Sequence, residues 1–370
     1  MKQAEYMKYV ADINYATFLT QGYATAGHNG PHGHPDTPVR NTGHYLIIYS
    51  YLYKKTKEER YLDICKKFAQ YLLDMQDKTK SGAIQCMLSD KFDHLNGLIG
   101  QGWTIEALLY YYDISRDQRC LDCAKSIFYS QKYDWNLHLW HRIELDGSDI
   151  DIDPTYNHHV WFAACSYKLA NLCHDDNIDK IIVDFLTKGA ERDFKIHNAD
   201  GILCHHVRAD RPIMKNIRRK AQIKKILSPI SFLNPKKFDS KFMEYAYHIF
   251  DLYGFCILKE KYGHLPLYSS KAYKKAVDCA FNIDYINKKL KCNQIDYIYN
   301  AYGYSYNSLA FEYPYVAKSC GFVMQGIEDK LYEVQKKLMW SEDEKMFSRN
   351  QPDIDTWNAR TYEIIRYLEV

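Results

Sequence analysis

The sequence predicts an all-α fold, an (α/α)6 toroid in which six inner and six outer helices alternate. Three observations carry that prediction. Segments with helical periodicity recur along the chain, they fall into an amphipathic class and a class that is apolar nearly all round, and the two classes alternate strictly. No Pro/Gly/Ser-rich linker divides the 370 residues, so the chain reads as a single domain over 1–370 with a basic insertion at about 208–237.

The outer class is typified by Tyr61, Leu62, Ile64, Cys65, Phe68, Tyr71, Leu72 and Met75, which share one helical face with Lys66, Lys67 and Asp74 opposite. Similar stretches begin near residues 2, 117, 177, 268 and 325. The inner class is typified by LIGQGWTIEALLYYY at 98–112 and HVWFAACSYKLANL at 159–172, apolar enough to be packed on both sides. Others begin near 42, 241, 305 and 356. Outer-to-inner connections are long (21–41, 76–96, 134–156, 197–240, 283–304, 340–355), whereas inner-to-outer turns such as KKTKEE and SRDQ are short. In a ring of antiparallel pairs the long loops share one face with the N-termini of the inner helices. That face is where binding residues gather, and its helix ends favour an anionic group.

Composition excludes some classes. No run of about 18 apolar residues exists to span a bilayer. Acids and lysines interrupt the first residues, MKQAEYMKYVADINYATFL, where a signal peptide needs an apolar block, so a cytoplasmic protein is expected. The eleven cysteines are scattered through helical patterns, as reduced core residues would be. Cys120 and Cys123 form a lone C-x-x-C inside a helix, which points to packing rather than metal.

The first long loop reads GYATAGHNGPHGHPDTPVRNTGHY, with prolines to hold the backbone and Thr42 available to cap the next helix. Here Arg40 can grip a carboxylate or phosphate, Asp36 can serve as acid or base, and His34 and His44 are substrate-binding candidates. The competing reading is a buried Asp36–Arg40 pair with surface histidines.

The third loop carries WNLHLWHRIELDGSDIDIDPTYNHHVWF. In an extended segment Asp149, Asp151 and Asp153 alternate onto one side, where they could hold a hard cation, but the EF-hand order is missing. The alternative makes Asp153, beside Pro154 at a helix mouth, a catalytic carboxylate. His158 joins it as a catalytic candidate, with Tyr156, His159 and Trp161 as binding candidates; one of the two adjacent histidines must point inward.

Other residues expected to face the centre are Asp93, Gln101, Trp103 and Glu106, then Glu244, Tyr245, Glu312 and Tyr313, and finally Trp357, Arg360 and Glu363. Of these Gln101, Trp103, Glu312, Trp357 and Arg360 complete the binding set. A pocket of Trp, Tyr, His and carboxylate suits sugar rings and hydroxyls. Asp36 and Asp153 would then form the acid/base pair of a hydrolase; a single carboxylate beside His or Tyr would instead favour lyase or epimerase chemistry. No cofactor and no metal is expected, although His28, His32, His34, His158, His205 and His206 leave a metal-dependent reading open.

From Arg208 to Lys237 ten Lys/Arg face one acid, about +9, while the whole chain carries +3. Ile213, Met214, Ile217, Ile223, Ile226 and Leu227 are interleaved, as in a basic amphipathic segment able to lie on an anionic membrane. Peripheral contact at the inner face of the membrane is therefore expected, and nucleic acid is not, since the remaining surface is acidic.

GPHGHPDTPVRNTGH, LNGLIGQGWTIEALL and DPTYNHHVWFAA resemble conserved blocks of the agl-type proteins of prokaryotic surface-glycan and polysaccharide biosynthesis clusters, and the six-hairpin toroid is similar to that of many glycosidases, lyases and sugar epimerases. The resemblance spans about half the chain. It implies a carbohydrate-active enzyme, glycoside hydrolase-like or a uronate-type epimerase or lyase, acting on a surface polysaccharide or on an acidic or lipid-linked oligosaccharide. A non-catalytic glycan-binding scaffold is the remaining alternative.

Overall fold

A computed structural model describes residues 1–89, 93–208, 210–216, 240–286, 302–322 and 326–370. The apolar segments form an inner ring: α2 (Val39–Thr56), α4 (Gly97–Ser115), α6 (Tyr156–Ser166), α8 (Ser240–Tyr262), α10 (Leu309–Cys320) and α12 (Ile354–Ala359, continued by a 3-10 turn at Arg360–Ile364). The amphipathic segments form the outer layer: α1 (Gln3–Gln21), α3 (Glu59–Asp77), α5 (Gln118–Ser130), α7 (Asp176–Asp184, continued by a π turn at Phe185–Ala190), α9 (Lys271–Ala280) and α11 (Ile327–Met339). Each inner helix packs on the next, and α12 packs back on α2, so the ring closes.

Close approach of the inner helices needs small residues at the crossings. A Cβ on Gly102 of α4 would lie 3.1 Å from the Phe162 backbone of α6, and one on Gly254 of α8 would lie 3.0 Å from Val160. Outer helices bury one stripe each: on α5 it includes Cys120, Cys123, Ala124 and Phe128, so both thiols of the C-x-x-C pair are core groups.

Two details differ from the sequence expectation. Helix α2 starts at Val39, because Pro38 already adopts helical angles (φ −61°, ψ −12°). Thr42 therefore does not cap the helix; inside its first turn the hydroxyl accepts the Ala24 N–H at 3.0 Å. The long loops also contain strands. β1 (Tyr133–Asp134), β2 (Leu139–Ile143) and β3 (Asp149–Ile152) form an antiparallel sheet in the third loop, and β4 (Trp340–Ser341) pairs with β5 (Met346–Phe347) in the last. Trp140 opposite Tyr133 and His141 opposite Ile152 set the register. The sheet ends one residue before Asp153, which it delivers to the mouth of α6.

Among the described residues no helix is long and apolar enough to cross a membrane. The basic segment falls for most of its length, 209 and 217–239, outside the described residues. Its first part is anchored to the protein: Arg211 is buried against Asp193, with Nε 3.1 Å from Oδ2, and the Arg208 N–H donates to the same carboxylate at 2.8 Å.

Candidate functional site

The N-termini of the inner helices surround a cavity of about 270 Å³. Helix α4 begins with Asn96 and Gly97 both in the left-handed region (φ 57° each). This opening turns two first-turn N–H groups toward carboxylates: Gly97 donates to Asp93 Oδ1 at 2.5 Å, and Leu98 donates to Asp153 Oδ2 at 3.2 Å. Both carboxylates line the cavity. Their environments pull them in opposite directions. Burial raises Asp93, only partly offset by the Gly97 N–H and Arg142, whose Nη1 lies 3.2 Å from Oδ2. Burial would also raise Asp153, but the nearby imidazoles of His158 and His159, with Arg142, hold it well below the usual carboxylate range.

Asp153 is almost fully buried and its oxygens are engaged. The Thr155 N–H donates to Oδ1 at 2.9 Å, and His158 Nδ1 lies 2.9 Å from Oδ2. An ionised carboxylate can only accept, so Nδ1 carries a proton, and in the neutral imidazole Nε2 is the ring nitrogen open to accept one. His158 is partly exposed and lines the cavity. Its neighbour points the other way: the Trp140 N–H donates to His159 Nδ1 at 3.3 Å and His159 Nε2 contacts the Asp153 carbonyl at 2.9 Å, which locks the ring in the wall.

Asp36 and Arg40 lie beneath this cavity. They form a buried pair at 3.4 Å, and Arg40 reaches Asn29 Oδ1 at 2.6 Å and the Tyr306 hydroxyl at 3.2 Å while its guanidinium lies 4.5 Å from the Trp103 ring centre. Burial pushes Asp36 up to about 6, against the pull of Arg40. The sequence assignment of Asp36 as a cavity acid and Arg40 as a substrate clamp is therefore corrected: the pair supports Asn29, Trp103 and Tyr306, which do line the cavity. Asp93, ranked below Asp36 on sequence, is the second carboxylate there. Nor do the three alternating acids act together. Asp149 is tied to Lys132 and His141, each at 2.6 Å, outside the cavity.

Among the binding candidates, His34, Trp103 and Arg360 reach the cavity. Several others are wall residues, because their polar atoms serve the fold. Gln101 clamps the second loop, accepting the Ile84 N–H and donating to the Ile84 and Leu95 carbonyls. Tyr156 donates to the Ala190 carbonyl, Trp161 donates to the Phe250 carbonyl while stacked on the Phe250 ring at 4.5 Å, and Trp357 donates to the Tyr304 carbonyl. Glu312 is buried in an ion pair with Arg360 at 3.1 Å. His44 is fully buried between Trp103 and Tyr362. Sequence reasoning did not single out Asn29, Arg142, Tyr247 or Tyr306. Arg142 sits on a strand read as loop, and only the folded ring brings the tyrosines to the same cavity.

Of the histidines that left a metal reading open, His32, His34, His158 and His205 line the cavity. Among the described residues they are not part of any group of three close potential ligands. Several buried imidazoles are held neutral: burial, with Arg40 adding, lowers His32 to about 4 and His44 well below the usual range, and burial with His206 lowers His205. Such groups take up protons in the unfolded chain first. As pH falls below about 6.5 the unfolded state binds more protons, so their contribution to stability is lost. Both ring nitrogens of His44 lack partners. His44→Phe is therefore expected to keep its stability at pH 7.5 and to lose less than the parent between pH 7 and 5 in urea titrations. Equal pH slopes for the two proteins would contradict this.

No protein-family model matches the chain. Archaeal glycosylation protein Q of Haloferax volcanii is 25% identical over 366 residues, covering 96% of this chain and 95% of that protein. Cellobiose 2-epimerase from Bacillus thermoamylovorans B4167 superposes with a TM-score of 0.60 at 13% identity, covering 98% of this chain and 100% of that one. The unsaturated glucuronyl hydrolase of Bacillus sp. GL1 gives 0.58 at 10% identity, covering 99% and 96%. The two structures show the fold alone. The chain is thus similar to Archaeal glycosylation protein Q over nearly its whole length and built on the six-hairpin (α/α)6 fold.

Proposed function

We propose that this protein is a carbohydrate-active enzyme of glycan assembly whose chemical step is proton abstraction beside a carbonyl or carboxylate, the step shared by sugar epimerases, isomerases and lyases. The observation that carries the reading is the Asp153–His158 pair. A buried, ionised carboxylate fixes one tautomer of a cavity-facing imidazole, the arrangement a general base needs. His158 Nε2 takes the proton, and Asp153 stabilises the imidazolium that forms. Trp103 and Tyr306 offer ring surfaces to a sugar, and Arg142 at the cavity wall is a donor for its hydroxyl or carboxylate oxygens. Likeness to a glycosylation protein supports a glycan substrate; a surface polysaccharide or a lipid-linked glycan under assembly is the substrate proposed.

A second reading, hydrolysis, has its own observation. Asp93 raised and Asp153 lowered are two carboxylates set apart by environment, as an acid and an anionic partner must be. One experiment separates them. Neutral and uronic mono- and oligosaccharides are incubated with the protein in D2O, following deuterium at carbon by NMR and release of reducing ends.

The proton-transfer reading expects deuterium incorporation that falls by about 10²–10⁴-fold in His158→Gln while circular dichroism shows the variant still folded. Reducing-end release without incorporation, abolished in Asp93→Asn, would establish hydrolysis instead. Binding without either would leave a glycan-binding scaffold.

A further inference from the structure

Away from the dyad, three side chains of different chemistry converge at the edge of the ring. The segment after α7 folds into a short hairpin with Ile196 opposite Leu203; the His197 N–H donates to the Ile202 carbonyl and the Cys204 N–H to the Lys195 carbonyl. That register places His197 and Cys204 on one face of the hairpin, diagonal to each other. Glu244, in the first turns of α8, meets them there. The nearest potential donor atoms of the three lie within 4.8 Å of one another.

Two contacts define the group: His197 Nε2 is 2.7 Å from Glu244 Oε2 and 3.9 Å from Cys204 Sγ. Both use the same ring nitrogen. In a nucleophile–base–acid chain the thiol and the carboxylate must engage opposite nitrogens of the imidazole, so this is not a relay for activating Cys204. Three donors aimed at one point is what a metal ion requires. In tetrahedral zinc coordination, Zn–N of about 2.0–2.1 Å and Zn–S of about 2.3 Å set N···S near 3.6 Å. The observed 3.9 Å is close to that separation, and replacing the hydrogen bond to Glu244 with an ion needs an opening of about 0.6 Å.

We propose that His197, Cys204 and Glu244 bind a divalent transition-metal ion of the zinc class, with the fourth position left to water. The thiolate and imidazole select against magnesium and calcium, which take all-oxygen shells. Binding releases the thiol proton and requires His197 to present an unprotonated Nε2. The ion staples the hairpin to α8 beside His205, whose N–H donates to Glu244 Oε1 at 3.4 Å and whose ring lines the cavity.

The test uses the full chain stripped with EDTA and titrated with Co²⁺, whose bond to a thiolate produces an intense charge-transfer band in the near ultraviolet. One equivalent should give the band, Cys204→Ser should abolish it, and Zn²⁺ should displace it. Zn²⁺ at about 100 times its dissociation constant should raise the melting temperature by about 3–4 °C, a shift absent from His197→Ala. Far-ultraviolet circular dichroism establishes that both variants fold, and if either does not, Glu244→Gln replaces it with loss of the band expected. Co²⁺ binding without the band, a band that survives in folded Cys204→Ser, or no thermal shift in the parent would overturn the proposal. The outcome is independent of whether His158 transfers a proton.

Discussion

Arg360→Met is expected to cost about 3–5 kcal/mol of folding free energy, lowering the melting temperature by about 4–6 °C. All five guanidinium donors are used: Nε and Nη2 on Glu363 at 2.9 and 2.7 Å, Nη2 also on Glu312 at 3.1 Å, and Nη1 on the Tyr306 carbonyl at 2.8 Å and Asn307 Oδ1 at 2.9 Å. Methionine fills the volume but leaves two buried carboxylates without their counter-charge. Burial and the neighbouring Glu312 already push Glu363 up to about 8, which Arg360 only partly opposes.

This raised group also carries a sign. Its contribution to stability is present at low pH and is lost as pH rises from about 4.5 toward 8. The double variant Arg360→Met with Glu312→Gln should recover part of the loss. Thermal melts by circular dichroism decide the matter, and a shift below about 1 °C would mean that the cluster is not held by charge.

Gly97→Ala is expected to do the greatest damage to the site for the smallest change in volume. A Cβ there would lie 2.5 Å from Asp153 Oδ2 and 2.7 Å from His158 Nδ1, and the backbone at φ +57° is one that alanine adopts at a cost of about 1–2 kcal/mol. The carboxylate cannot simply rotate away, because the Thr155 N–H, the Leu98 N–H and His158 hold it. Losing one such charge-assisted bond adds about 1.5–3 kcal/mol. The melting temperature should fall by about 3–6 °C and deuterium exchange should drop to the level of Asp153→Asn. Parental exchange in a folded Gly97→Ala protein would break the link drawn between this glycine and the dyad.

The two variants illustrate what local pattern conveys. Alternation of inner and outer helices was legible because burial on one side or on two sides writes itself into every few residues, as in α3 and α4. Asp153 and His158 stood out as candidates because a proline and a helix mouth mark the spot. The strands β1 to β3 were not legible: segments of two to five residues leave too little periodicity, and their pairing partner lies across a turn. Asp36 and Arg40 looked like site residues for a sound reason, their chemistry, but i,i+4 spacing at the head of α2 also suits a buried pair.

By itself, then, the sequence determined the fold class, the alternation of layers and the loops that crowd one face, since each follows from periodicity within about a dozen residues. Only the tertiary structure decided which polar groups open into the cavity and which are consumed by the wall. That choice depends on partners far away in the chain: Asp153 on Leu98, Arg40 on Tyr306, and Arg360 on Glu312. A polar side chain becomes structural when a distant donor or acceptor satisfies it in the dry interior, and no pattern in its own neighbourhood records where that partner will be.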